Sequence, residues 1–170
     1  MKKKITLSVT FLTLLLFAQC AVKKTQKAMW RSPYNIEIEC LGVGTDGTKL
    51  VKAWAYAKKP EMAVIQAEKN AVAAAIFKGI PAGNGAAATP AICSDQNCLE
   101  NNQAFFDEFF KDGGKYLQFV NRTTDGMPGG KDRLKMKRGY KVGLKASIAF
   151  NNLRSYLEDE GIVKRMDSEF

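Results

Sequence analysis

Histidine is absent from this chain of 170 residues. Because histidine is the commonest general base in enzymes and a usual zinc ligand, Ser/His and Cys/His nucleophile pairs are excluded. Carboxylate chemistry remains, and Glu37 with Glu39 form the candidate acid/base pair. Their i, i+2 spacing instead predicts two neighbouring carboxylates on the solvent face of a strand, paired with Lys141 or Lys145. We therefore expect a protein without catalytic residues, bound metal or cofactor.

Apolar runs of the length that a membrane-spanning helix needs, about 20 residues, are also lacking. The apolar stretch from Ile5 to Ala18 is shorter than this and follows three lysines, Lys2 to Lys4. A basic start followed by an apolar core of this length is typical of a secretion signal. Residues 1–20 are therefore predicted to be a signal peptide, and the mature protein is expected in the envelope of a Gram-negative bacterium.

The predicted signal peptide ends at Cys20, within the segment Leu16-Phe17-Ala18-Gln19-Cys20. This segment resembles a bacterial lipobox, although Phe17 stands where Leu is usual and Gln19 where a small residue is usual. The resemblance implies cleavage before Cys20 and acylation of its thiol, which would anchor the protein on the membrane. Ordinary cleavage after Cys20 is the alternative, because Ala18 and Cys20 fit the small-x-small rule.

The net charge of the chain is +9, and removal of residues 1–20, with three lysines and no acid, leaves +6. A basic protein favours anionic partners such as lipid head groups or cell-wall polymer. Nucleic acid is not expected, because the protein is exported and aromatic residues do not interleave with its lysines. Residues 21–33 are polar and predict a tether. Residues 34–170 have the length of a single domain with its own core.

Cysteine is scarce, with three residues beyond Cys20, namely Cys40, Cys93 and Cys98. Cys93 and Cys98 flank a short polar loop, which predicts a disulfide in an oxidising compartment. Their C-x4-C spacing differs from the C-x-x-C of thiol oxidoreductases, so a structural bridge is the prediction. Cys40 lies in an apolar strand pattern and is expected to be a small core residue.

Hydrophobic periodicity and turn residues predict seven elements. The predicted strands are residues 35–43, 48–57, 115–121 and 133–148, and the predicted helices are 61–80, 102–111 and one capped by Asn151 or Asn152. Asp46-Gly47 marks the first hairpin, and residues 81–100 form a long loop. The order ββααββα predicts an α+β fold, an antiparallel sheet of about four strands with helices packed on one face.

The sequence predicts how the faces of two of these helices pack. The apolar stripe of the first helix, Met62, Ile65, Val72, Ile76 and Ile80, is expected to pack on the sheet, with the alanines on the far side. Lys69 falls within this stripe, and its stem is expected to pack while its ammonium reaches solvent. In the second helix Phe105, Phe106, Phe109 and Phe110 are expected to form core, with an exposed partner site as the alternative.

The last predicted strand, residues 133–148, alternates with period two, which predicts one buried and one solvated face. The predicted buried residues are Leu134, Met136, Tyr140, Val142, Leu144, Ala146 and Ile148. The predicted cationic residues, which form the candidate site for an anionic ligand, are Arg133, Lys135, Lys137, Lys141 and Lys145.

Two stretches carry a family resemblance: Gly42-Val43-Gly44 through Ala67-Glu68-Lys69-Asn70-Ala71, and Tyr140-Lys141-Val142 through Leu153-Arg154 and Leu157-Glu158. They resemble small exported lipoproteins and the N-terminal modules of flagellar-accessory and curli-secretion proteins. About half of the mature chain is covered, and the cysteine loop and the phenylalanine helix depart from the pattern. The resemblance implies a non-catalytic binding or assembly module, periplasmic or on the outer membrane, that docks another envelope protein. The alternative is a module that binds anionic cell-wall polymer or lipid head groups through the basic strand.

Overall fold

The computed structural model describes residues 36–165. The chain divides into two units, Met1–Ser32 and Pro33–Phe170, and all described residues belong to the second. The predicted signal peptide, Cys20 and the predicted tether lie outside the described residues. Within residues 36–165, no helix has the length and apolar character needed to cross a membrane.

The described residues form an α+β fold with an antiparallel sheet, as the sequence predicts. The strands are β1 (Ile38–Val43), β2 (Lys49–Ala57), β3 (Val120–Arg122), β4 (Arg133–Met136) and β5 (Gly139–Ile148). The helices are α1 (Pro60–Ala73), α2 (Cys98–Asn101), α3 (Gln103–Phe109) and α4 (Phe150–Asp159). Short turns of 3-10 helix cover Thr45–Gly47, Lys115–Phe119 and Gly130–Asp132, and a π-helical turn, Ala74–Lys78, continues α1. The sheet thus has five described strands where about four were expected, and the element order differs from ββααββα.

Strand β5 lies inside the sheet, whose order is β1-β2-β5-β3. β2 pairs with the length of β5, from Lys49 opposite Ile148 to Ala57 opposite Tyr140. The other edge of β5 is shared, because β3 pairs with its C-terminal end and β4 with its N-terminal end. β4 and β5 therefore form a hairpin at one end of the sheet.

This hairpin corrects the prediction of one continuous strand over residues 133–148. The chain reverses at a two-residue turn, Lys137 and Arg138, and Met136 pairs with Gly139. Gly139 has φ +138°, and a Cβ at this position would collide with the backbone oxygen of Ala57. The predicted strand over 115–121 is also wrong for most of its length, because Lys115–Phe119 is a 3-10 turn and β3 begins at Val120.

Helix α1 packs on the sheet through its alanines. Ala63 and Ala67 are fully buried and join a core cluster with Ala55, Val142 and Leu144. The expectation that the alanines face away from the sheet is therefore wrong, and Met62 of the predicted stripe is exposed. Small side chains let the helix backbone approach the strands closely, and larger residues of α1 are buried by the segments that follow it.

The phenylalanine helix α3 and the segments around it form the second part of the core. Phe106, Phe109 and Phe110 are buried, which confirms the expectation of core packing, while Phe105 is only partly covered. Helix α4 packs nearby, and the ring of Tyr156 lies 6.0 Å from that of Phe109. The predicted asparagine cap of α4 is wrong, because its N-cap is Ala149 without a side-chain hydrogen bond.

Candidate functional site

The face of the sheet opposite α1 carries most of the charged side chains of β2 and β5. We call it the outer face. Its residues alternate with the core residues along each strand. They are Lys52, Trp54 and Tyr56 of β2 and Lys141, Gly143 and Lys145 of β5. Because α1 packs on the other face of the sheet, the outer face is the one left for a binding site.

Trp54 occupies the centre of the outer face and is buried there. It lies opposite Gly143, where an added Cβ would stand 2.9 Å from Cζ3 and Cη2 of the indole. The ammonium groups of Lys52 and Lys141 each lie 4.6 Å from the centroid of the ring, and Nε1 donates a hydrogen bond of 3.0 Å to Oε1 of Glu39. Trp54 is thus enclosed by its neighbours and does not offer a free stacking surface.

The two lysines that enclose Trp54 are also neutralised by acids. Nζ of Lys141 lies 2.7 Å from Oε2 of Glu37, and the hydrogen bond to Glu37 raises the pKa of Lys141. Lys52 forms an ion pair with Asp132. The predicted pairing of Glu37 with Lys141 is therefore confirmed. Both carboxylates of the candidate acid/base pair thus have partners, Glu37 in Lys141 and Glu39 in the indole N–H of Trp54.

The structure does not bring the five predicted anion-binding residues onto one face. Lys141 and Lys145 lie on the outer face, whereas Arg133 and Lys135 pair with Val142 and Tyr140 and so lie on the face toward α1. Lys137 is in the turn of the hairpin. The predicted common cationic face is therefore wrong, because the reversal at residues 137 and 138 exchanges the two faces between β4 and β5.

The same reversal exposes two apolar residues that were expected in the core. Leu134 is 43% exposed and Met136 is 46% exposed. Leu134 lies opposite Lys141, which in turn lies opposite Tyr56 of β2, and Tyr56 is 56% exposed. Tyr56, Leu134 and Met136, which we call the hairpin patch, therefore share one end of the outer face. A cleft of about 350 Å³ opens at this end and is lined by Tyr56, Ala57, Lys58, Met136, Arg138 and Tyr140.

Positive charge is concentrated on the hairpin that carries the patch and on the turn before it. Lys131, Arg133, Lys135, Lys137 and Arg138 are all exposed, and we call them the hairpin cations. None of the five has an ion-pair partner among residues 36–165. They differ in this respect from Lys52 and Lys141, and their charges are available to an anionic partner.

A second group of charges lies beneath α1, away from the outer face. Glu68 is buried and accepts a hydrogen bond of 2.5 Å from Nε of Arg122, which raises the pKa of Arg122. Nζ of Lys69 lies 2.6 Å from Oδ1 of Asp112. The expectation that this ammonium reaches solvent is therefore wrong, because Lys69 is buried and its charge is paired. Burial, with the charges of Glu68 and Asp112, raises the pKa of Tyr116 to about 12. These contacts fasten the 3-10 turn Lys115–Phe119 and β3 to the helix.

The three described cysteines are arranged as the sequence predicts. The Sγ atoms of Cys93 and Cys98 are 2.10 Å apart, at disulfide distance, with their Cα atoms 6.1 Å apart. This geometry matches the predicted pairing. Cys40 is buried and free, also as expected. Within residues 36–165, no group of three or more His, Cys, Asp or Glu side chains is arranged to hold a metal ion.

No protein-family model, no curated protein and no solved structure matches this chain. The site must therefore be interpreted from its own geometry. The hairpin patch, its cleft and the hairpin cations are the part of the described structure that is both exposed and chemically distinctive.

Proposed function

We propose that this chain is an exported, lipid-anchored protein of the Gram-negative envelope, and that it acts as a non-catalytic module that docks another envelope protein. The observation that carries the proposal is the exposure of Tyr56, Leu134 and Met136 at one end of the outer face, where Tyr56 and Met136 line the same cleft. Adjacent exposed apolar residues, rimmed by polar ones, mark interaction sites. The hairpin patch has this composition, because Lys141 lies beside it on the outer face and Lys137 and Arg138 lie in the adjoining turn.

The rest of the outer face supports docking over chemistry. Glu37, Glu39 and Asp132 are engaged with Lys141, Trp54 and Lys52. Groups that already satisfy one another form a rigid platform and have little capacity to transfer protons to a substrate. A rigid sheet end with an apolar patch is suited to hold a partner surface.

We expect a photoreactive amino acid at position 134 to cross-link to a discrete envelope protein in cells. The matched control is position 117, because Leu117 is 42% exposed and Leu134 is 43% exposed. Met136→Glu should remove the adduct formed at position 134, since it places a charge inside the hairpin patch. Equal adducts from positions 117 and 134, or an adduct that survives Met136→Glu, would contradict docking at the hairpin.

Cys20 carries the proposed anchor, and its substitution tests export and acylation together. Metabolic labelling with a clickable fatty acid should mark the wild-type protein but not Cys20→Ala. Cys40→Ala is the matched control and should keep the label, because Cys40 is buried in the domain. A label that persists in Cys20→Ala is the result that excludes acylation at this residue.

A second candidate function is the binding of anionic cell-wall polymer or lipid head groups. The five hairpin cations favour it, because the described part of the chain provides them with no ion-pair partner, although the predicted flat cationic strand does not form. Ionic strength separates the two candidates, because contacts between exposed charges are screened over about 8–10 Å at physiological salt while apolar contacts are not. Steep loss of envelope binding between low and high salt would favour the polymer or lipid.

A further inference from the structure

The two outer edges of the sheet differ in how their backbone groups are satisfied. At β1 the edge is closed by side chains of the segment that follows α1. Nζ of Lys78 donates to the backbone oxygen of Ile36 at 2.6 Å, and Nδ2 of Asn84 donates to that of Cys40 at 2.8 Å. Gly83 also approaches this edge so closely that a Cβ would stand 3.0 Å from the oxygen of Cys40. An added strand cannot reach β1 here without displacing these contacts.

The edge of β4 is open. Thr123 donates its backbone N–H to the oxygen of Lys145, so Lys145 and every second residue of β5 direct their backbone groups toward β3 and β4. Leu134 and Met136, opposite two such residues, therefore bond to β5, while Arg133 and Lys135 direct their backbone groups outward. The N–H of Arg133 is used by the preceding 3-10 turn. This leaves the N–H and C=O of Lys135 and the C=O of Arg133 without a partner among residues 36–165.

The positive charge around the edge of β4 disfavours a second copy of this chain and favours an acidic strand. Exposed edge strands are prone to pair with another strand, and lysines on the edge are a usual means to prevent it. Two copies of this chain paired through β4 would bring two sets of hairpin cations together, and directly opposed like charges are destabilising. The same cations attract a strand that carries acids. The edge is therefore protected against self-association but not against an acidic segment.

We propose that the open edge of β4 binds an extended segment of a partner protein, with alternating acidic and apolar residues, as an additional strand. The inference rests on the proposed docking function and specifies the chemistry of the partner. Arg133 and Lys135 lie on one face of β4 and Leu134 and Met136 on the other. Side chains that lie directly opposite one another on neighbouring strands point to the same face of the sheet. Acidic residues of the guest strand therefore lie beside Arg133 and Lys135, and its apolar residues extend the hairpin patch.

The test uses the full chain, purified from cells, and a synthetic peptide in which glutamate and valine alternate. At saturating peptide we expect the amide hydrogen exchange of Lys135 to slow at least tenfold, while that of Leu134, directed toward β5, changes little. The control peptide has the same composition, with the glutamates and valines in two separate blocks. A second control replaces glutamate with lysine. Neither control should protect Lys135.

Two variants at one position separate the backbone bond from the charge. Lys135→Gln removes the ammonium and keeps the N–H, whereas Lys135→Pro removes both. Because the N–H of Lys135 points away from β5, proline at this edge position leaves the hairpin bonds in place. The alternating peptide should bind Lys135→Pro about 5-fold more weakly than Lys135→Gln, as expected for one hydrogen bond. If Lys135→Pro fails to fold, the exchange pattern of the wild type decides the question.

Several results would overturn the inference. They are equal binding of the alternating and block peptides, an unprotected Lys135 amide at saturation, or binding only to vesicles that contain anionic phospholipid. The last would identify a lipid surface as the occupant. If position 134 still cross-links to an envelope protein while the alternating peptide does not bind, docking stands and strand addition is wrong. If both fail, the docking function is wrong as well.

Discussion

Phe106→Ala is expected to lower the free energy of unfolding by about 3–5 kcal/mol, the usual cost of removing a buried aromatic ring. Phe106 is fully buried. Its ring centroid lies 4.9 Å from that of Phe77 and 5.2 Å from that of Phe105, both in edge-to-face geometry. The ring therefore joins α3 to the π-helical turn after α1, and its loss leaves a cavity that these elements cannot close without moving.

Phe105→Ala is the matched control for this substitution, since the two residues are neighbours on one helix. Phe105 is only partly buried, so its loss should cost less than half as much, because the cost follows the apolar area removed from water. Urea unfolding followed by tryptophan fluorescence measures both. Equal losses at the two positions would contradict the burial of Phe106 and would restore the alternative that this helix is an exposed partner site.

The first hairpin shows where sequence reasoning is reliable. Asp46-Gly47 predicts a reversal because a tight turn needs positive φ, and the structure has φ 56° at Asp46 and 72° at Gly47. The strands on either side begin and end within three residues of their predicted bounds. Local turn chemistry and alternation agree here, so the pattern determines the result.

The second hairpin shows where the same reasoning fails. Except for Arg138, the even-numbered residues from Leu134 to Ile148 are apolar, which in one continuous strand would place them on one face. A two-residue turn preserves this alternation in the sequence but exchanges the two faces of the sheet. Leu134 and Met136 therefore lie on the outer face, away from the core. Only Gly139 marks the turn, and a single glycine within a strand pattern more often indicates a bulge. The hairpin patch, the main element of the proposed site, was therefore hidden by the strongest periodicity in the chain.

The contacts of the site could be predicted only where both residues lie in correctly predicted strands. The pairing of Glu37 with Lys141 was predictable because each residue lay at an outward position of a predicted strand. The contact between Glu68 and Arg122 spans 54 residues, and it depends on a 3-10 turn that was predicted as a strand. The enclosure of Trp54 was also missed, because it requires the register that places Gly143 opposite the indole.

Tyr116 is expected to make the protein lose stability in alkali. Its side chain is buried, and the ammonium of Lys69 lies 5.6 Å from its ring. Burial is the main cause that raises the pKa of Tyr116 from 10.0 to about 12, and the negative charges of Glu68 and Asp112 add to it. The folded protein therefore keeps the phenol protonated at a pH where the unfolded chain has released the proton.

The direction in which the free energy of unfolding changes with pH follows from this difference in bound protons. Below pH 10 the phenol of Tyr116 is neutral in both the folded and the unfolded state. The stability that its burial in neutral form contributes is therefore fully present. Between pH 10 and 12 only the unfolded chain ionises at Tyr116, so the free energy of unfolding falls by about 1.4 kcal/mol per pH unit, or about 2–3 kcal/mol in total.

Urea unfolding at intervals from pH 9 to 12 measures the loss. Tyr116→Phe is the control, because it keeps the ring and cannot ionise, while the lysines that titrate over the same range are common to both proteins. The wild-type curve should therefore fall below the Tyr116→Phe curve by this additional amount as pH rises. Parallel curves would mean that Tyr116 ionises as readily in the folded protein as in water, and that the 3-10 turn Lys115–Phe119 does not close over the charged contacts beneath α1.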